Sequence, residues 1–162
     1  MTITVTEAGL LSTCGSHRWV ASMLERAPFA DVEELHAAAE VAFDELGEQD
    51  WLEAFGHHPR IGDVEALRER FAASGAFSER EQAGLGETED AIVEAIHRGN
   101  EEYEAKHGFV FLIRAAGRSA QEILEQQRAR IQNDRPRELE IAASQQREIT
   151  HLRLDASLQA ND

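Results

Sequence analysis

The stretch GHHPRIGD, residues 56–63, sets two histidines, a proline and an arginine between two segments that read as helices. His58 precedes Pro59, which biases its backbone away from the helical region. Pro59 and Gly62 then give the loop a stiff, defined shape. An imidazole presented from such a loop titrates near neutral pH and suits proton transfer. A polar loop residue or a helix cap has the same appearance, so the stretch alone leaves both readings open. SEREQ, residues 78–82, raises a similar question. Ser78 and Glu81 have the spacing of a capping box. Only a brief helix fits before Gly84 and Gly86, however, and that would offer Glu81 and Gln82 to a pocket. Further along, Leu139, Ala142, Gln146, Ile149 and Arg153 follow three- and four-residue steps. Gln146 and Arg153 thus lie on or beside an apolar stripe. An arginine there needs an anion, from the protein or from a ligand, unless its stem snorkels to water at the helix end. Asn100 and Tyr103 share a helix face, with ordinary boundary placement as the plain reading.

The elements that would position these residues are almost all helical. Asp31 opens a stripe through Leu35, Ala38, Ala39, Ala42, Phe43 and Leu46, stopped near Gly47. DWLE, 50–53, starts a short helix that runs out at Gly56. Asp63 starts one that ends at Gly75. Thr88 can cap a long helix through Ile92, Val93, Ile96 and Tyr103, closed by Gly108. Ser119 and Glu122 form a capping box for a helix over 120–132, and the last helix runs from about Pro136 to Leu154. GFVFLIRA, 108–115, is aromatic and β-branched and reads as extended chain. A lone extended segment has no ladder partner, so its donors and acceptors must pair with a loop or a ligand. The expected fold is an all-α, single-domain bundle of about seven to nine helices with one short extended segment near 109–113. The domain would span 1–155, followed by a polar, mobile tail over 156–162.

Composition excludes several classes. A net charge of −15 opposes binding to nucleic acid and to anionic membranes. A small anionic substrate would need local cations, for which Arg60 and Arg153 are candidates. The longest purely apolar run, FVFLI at 109–113, is far short of the roughly 20 residues a bilayer requires. No signal peptide is visible, and the single cysteine, Cys14, fits a reducing cytosol. His57, His58, His107, His151 and several carboxylates could supply metal ligands, but no H-E-x-x-H or C-x-x-C spacing occurs.

Taken as an ordered set, HPRIG at 58–62, SEREQ at 78–82, NEEYEAKHGFVF at 100–111 and NDRPRELEIAASQQREITHLRL at 133–154 resemble the OHCU decarboxylase family. These are the 2-oxo-4-hydroxy-4-carboxy-5-ureidoimidazoline decarboxylases of urate degradation. DWLEAF at 50–55 and CGSHRWVASM at 14–23 look like that family too, so the resemblance covers about 14–154. His107 stands where an aromatic residue is expected. The resemblance implies an all-helical, usually dimeric enzyme with no cofactor, which forms (S)-allantoin and carbon dioxide. The cytoplasmic location is the expectation drawn from Cys14, and the absence of a metal the one drawn from the missing ligand spacings. By position, His58 and Glu81 would be catalytic. Pro59, Ser78, Gln82 and Arg153 would line the pocket, and the main chain near Phe109 and Phe111 would pair with the substrate's amide edge.

That chemistry is coherent in itself. The carbon that loses carboxylate bears a hydroxyl and neighbours a ring C=N, which accepts the electrons released on C–C cleavage. The hydroxyl must then give up its proton, and the neighbouring carbon must gain one on a single face. A His–Glu pair meets that need, and Arg153 would hold an anionic oxygen. A noncatalytic helical module that binds a ligand or a subunit is the alternative.

Overall fold

The computed structural model describes residues 2–58 and 86–160. The helix expected over 63–75, together with Pro59, Ser78, Glu81 and Gln82, lies outside the described residues. Seven helices are described: α1 (Glu7–Thr13), α2 (His17–Arg26), α3 (Val32–Asp44), α4 (Glu48–Gly56), α5 (Gly86–His107), α6 (Ala120–Ile131) and α7 (Arg135–Ala160). The fold is all-α. The one extended pairing among the described residues is a bridge between Ile3 and Phe29, whose amides and carbonyls exchange hydrogen bonds of 2.7 and 2.9 Å. The chain divides into two compact units, Met1–His58 with Ala143–Asp162, and Pro59–Ala142.

In the first unit α1, α2 and α3 each begin at a side chain able to receive an orphan amide. Thr6 accepts from the Gly9 amide, Ser16 from Trp19 and Asp31 from Glu34. At α4 the register differs from the sequence expectation. Gly47 is the N-cap, and Asp50 sits inside the helix, its carboxylate accepting from the Gly47 amide at 3.0 Å. An aspartate three residues into a helix reaches back as readily as one at the cap reaches forward, so DWLE fits both registers. The helices α1 and α2, which apolar periodicity did not bring out, carry their burial on Leu10, Trp19, Val20 and Met23. Trp19, Phe43 and Trp51 stack with centroids 5.3 and 5.6 Å apart, and Trp19 Nε1 donates to the Ala39 carbonyl at 3.2 Å. Along α7, Arg147 lies over the Phe43 and Trp51 rings and binds both Glu40 and Asp44 at 3.0 Å.

In the second unit, Ile92, Val93 and Ile96 of α5 pack with Ala120, Ile123 and Leu124 of α6. Ser119 caps α6, accepting from the Glu122 amide as the sequence implied. Gly108 follows α5 with φ +83°, a left-handed conformation that ends a helix at little cost only in glycine. Residues 109–115 then run without regular structure.

The last helix continues to Ala160, beyond the expected end at Leu154. DASLQA holds no glycine or proline, and alanine, leucine and glutamine are good helix formers, so nothing stops it earlier. The buried line of α7 is also rotated from the expected stripe. Glu138, Ala142, Gln146, Thr150 and Leu154 are buried, at uniform four-residue steps, whereas Leu139, Ile149 and Arg153 are half-buried flanks.

Candidate active site

His58 lies in the first unit, just beyond the end of α4. Its amide donates to the Phe55 carbonyl at 3.1 Å, closing the last turn. Its ring is half-buried, and Nε2 stands 2.6 Å from Oε1 of Gln146. Gln146 is fully buried and donates through its amide nitrogen to Oγ1 of Thr150 at 2.9 Å. The Thr150 hydroxyl donates in turn to the main-chain carbonyl of Thr13 at 3.0 Å. Thr13 closes α1, so the histidine is tied through α7 to the first helix of the chain.

The α1–α2 turn is fitted to the neighbouring histidine. A Cβ on Gly15 would stand 2.2 Å from Cγ of His57, so this position has room only for glycine. Gly15→Ala is expected to destabilise by about 1–3 kcal/mol, the usual cost of overpacking. A lower urea midpoint checks it; a variant as stable as the parent would mean that the His57 ring can turn aside. On the other side of the turn, Glu53 accepts from the His17 amide at 2.9 Å and stands 3.0 Å from His17 Nδ1. The main-chain hydrogen bond, more than the nearby imidazole, holds the Glu53 carboxyl below the usual range.

Cys14 lies beside this chain of contacts and is buried. Burial pushes its thiol up to about 11, against the pull of hydrogen bonds at Ser16 and Thr150 and of the Arg153 charge. At neutral pH it is therefore a thiol, which removes it from consideration as a nucleophile. Arg153 is half-buried one turn beyond Thr150, close enough for its charge to act on Cys14. The structure thus brings His58, Gln146 and Arg153 into one unit with Cys14 and Thr150.

The second unit holds Phe109 and Phe111. Phe109 is buried, and Phe111 packs against the α5–α6 core. The main-chain carbonyl of Leu112, the residue after Phe111, accepts from Arg130 Nη1 at 2.8 Å. A buried side chain, not a loop, therefore satisfies this part of the irregular segment. Arg130 Nε binds Glu138 at 2.8 Å, and the Tyr103 hydroxyl donates to the same carboxylate at 2.6 Å. Burial first, then the hydrogen bond to Glu138, pushes the Tyr103 phenol well above its ordinary range, so it remains a donor. Tyr103 is thus fully buried rather than at a boundary. His107 fills an aromatic slot, its ring 4.5 Å from Tyr103 and 6.1 Å from Phe109, and burial lowers its pKa toward the neutral form.

Sequence reasoning missed Thr13, Thr150, Arg130 and Glu138. The one available signal was the four-residue rhythm 138, 142, 146, 150, 154, which hydrophobic periodicity passes over because three of its five members are polar. Among the described residues no three His, Cys, Asp or Glu side chains are grouped to hold a metal ion, and no helix is long and apolar enough to cross a membrane.

The chain as a whole is similar to known proteins. A family model described as OHCU decarboxylase matches residues 2–155. Over 143 residues the chain is 34% identical to the uric acid degradation bifunctional protein TTL of Arabidopsis thaliana, a match covering 87% of this chain and 44% of that protein. Over 138 residues it is 26% identical to the 2-oxo-4-hydroxy-4-carboxy-5-ureidoimidazoline decarboxylase of Halalkalicoccus jeotgali, covering 85% of this chain and 76% of that one. The crystal structure of OHCU decarboxylase in the presence of (S)-allantoin is similar with a TM-score of 0.76 at 28% identity, over 96% of this chain and 99% of that one. The chain spans less than half the length of the bifunctional plant relative.

Proposed function

The chain belongs to the OHCU decarboxylase family, and on that footing we propose that it is a carboxy-lyase of urate degradation, converting 2-oxo-4-hydroxy-4-carboxy-5-ureidoimidazoline to (S)-allantoin and carbon dioxide. The observation that carries this reading is His58, heading the HPRIG motif and held at 2.6 Å by the buried Gln146. A histidine fixed in this way is suited to move a proton at the substrate hydroxyl.

The roles follow the order of the chemistry. The C–carboxylate bond breaks and its electron pair passes into the ring C=N, which needs no resident cofactor as electron sink. His58 accepts the hydroxyl proton as the ketone forms, and Glu81 orients or shares that proton. The neighbouring carbon gains a proton on a single face and the ring nitrogen that received the electron pair gains another, so one proton is taken up overall as carbon dioxide leaves. Arg153 holds an anionic oxygen of the ring or the carboxylate, offsetting the repulsion of a strongly negative protein. Pro59, Ser78 and Gln82 line the pocket, and the main chain at Phe109 and Phe111 meets the amide edge of the substrate. The reading extends to a homodimer in the cytoplasm, in keeping with the family resemblance and with an unpaired cysteine.

The test generates the unstable substrate in situ from urate with urate oxidase and the hydrolase that follows it. Adding this protein is expected to speed the appearance of allantoin and to confine it to the S enantiomer. Racemic allantoin at the spontaneous rate would overturn the proposal and leave a noncatalytic binding module.

A further inference from the structure

The contacts of His58 contain more than an anchor. We infer that Gln146 and Thr150 are positioning residues for His58, joined with the Thr13 carbonyl in a one-way hydrogen-bond chain that holds the neutral ring with its hydrogen on Nε2 and keeps Nδ1 as the nitrogen that exchanges protons. What that exchange accomplishes rests on the decarboxylase reading above; the tautomer can be read without any turnover.

The direction of the chain is set at its far end. A main-chain carbonyl has no proton to give, so at the 3.0 Å contact between Thr150 and Thr13 the hydroxyl is the donor. Its single proton used there, Thr150 meets Gln146 at 2.9 Å only as acceptor. That turns the NH2 of Gln146 toward Thr150 and its carbonyl toward His58. A carbonyl 2.6 Å from Nε2 then requires the hydrogen to sit on Nε2. Reversing any one link would leave two donors or two acceptors facing each other.

Burial protects the order. Gln146 and Thr150 are fully buried and Thr13 nearly so, which withholds the water that would otherwise offer either polarity to each group. The neighbouring Cys14 does not compete, because burial pushes its thiol up to about 11 and no thiolate is present to draw the Thr150 proton away from Thr13.

The choice of glutamine also fits the work. The partner on one imidazole nitrogen fixes the tautomer and aims the other nitrogen. A carboxylate in the place of Gln146 would do so while favouring the charged ring. A neutral amide fixes the ring and leaves it able to release the proton it accepts, as a reaction that both removes and delivers a proton requires.

The experiment is nitrogen NMR on the full chain labelled with 15N-histidine, with the His58 signals identified by their absence from His58→Ala. In the neutral ring, Nε2 is expected to show the shift of a protonated nitrogen and Nδ1 that of an unprotonated one. Thr150→Val removes both the hydroxyl donor and the acceptor that orients Gln146. The glutamine amide can then turn over, the Nε2–H share falls, and kcat drops by about tenfold with KM moving by less than about twofold. Thr150→Ser restores tautomer and rate together. A wild-type ring with its hydrogen on Nδ1 would overturn the inference, as would a folded Thr150→Val protein with unchanged tautomer and rate. Should the valine variant fail to fold, the wild-type and serine spectra still decide. An Nε2–H ring in a protein without decarboxylase activity would bear out the chain and overturn the proposed reaction instead.

Discussion

Replacing His58 with alanine is expected to slow (S)-allantoin formation by about 100-fold or more, the usual span for losing a positioned acid–base group. The fold should survive. The amide of residue 58 can still bond the Phe55 carbonyl and close α4, because that contact uses no side chain. Stability will fall somewhat, since the carbonyl of the buried Gln146 loses its donor at 2.6 Å. An orphaned buried acceptor costs about 1–3 kcal/mol, well inside the 5–15 kcal/mol that holds a typical domain. The comparison that makes the result specific is His57→Ala. Its ring rests against Gly15 and is exposed, so truncation opens space without stranding a buried group, and the rate should fall far less. Initial rates with in situ substrate, paired with circular dichroism, check both. Equal losses in the two variants would deny His58 any special part, and a collapse of helical signal in His58→Ala would make the residue structural.

How much of this was legible in the sequence depends on which physical signal each residue emits. The helical class followed from apolar steps and from caps such as Asp31 and Ser119, whose structure matches their reading. The short helices α1 and α2 were not legible by periodicity. Seven and ten residues give few repeats, and their boundaries rest on the Thr6 and Ser16 caps instead. His58 was legible because proline follows it, a local constraint that sequence states outright. Gln146 was placed correctly by helix phase, but its partner Thr150 was not, since a threonine within a helix looks the same whether it is exposed or paired with a carbonyl 137 residues away. The partner of the irregular segment was invisible for a related reason. Nothing in the sequence tells that Arg130 turns inward, because an arginine on a helix normally faces water, and only the carboxylate of Glu138 makes the buried position tolerable.

That buried pair carries the largest expected effect on stability. Arg130 and Glu138 have side chains 5% and 0% exposed and meet at 2.8 Å. Around them the Tyr103 hydroxyl and the Asn133 amide donate to the two oxygens of the carboxylate, Arg130 reaches the Leu112 carbonyl, and its guanidinium stacks 4.7 Å over the Phe111 ring. Each guanidinium nitrogen and each carboxylate oxygen of the pair thus has a partner inside the protein. Glu138→Gln keeps the shape and most of the hydrogen bonds but leaves a buried guanidinium without its counter-charge. Breaking a buried pair from one side costs about 3–5 kcal/mol, a large share of ordinary domain stability. The expected result is a much lower urea midpoint with an unchanged slope. The double replacement Arg130→Met with Glu138→Leu removes both charges together and should lose less than Glu138→Gln alone, since well-packed apolar side chains often replace a buried ion pair at little cost. If Glu138→Gln instead unfolds within about 1 kcal/mol of the parent, the pair is solvated enough to behave as a surface contact, and the anchoring of the 109–113 segment must come from the ring packing of Phe109 and Phe111.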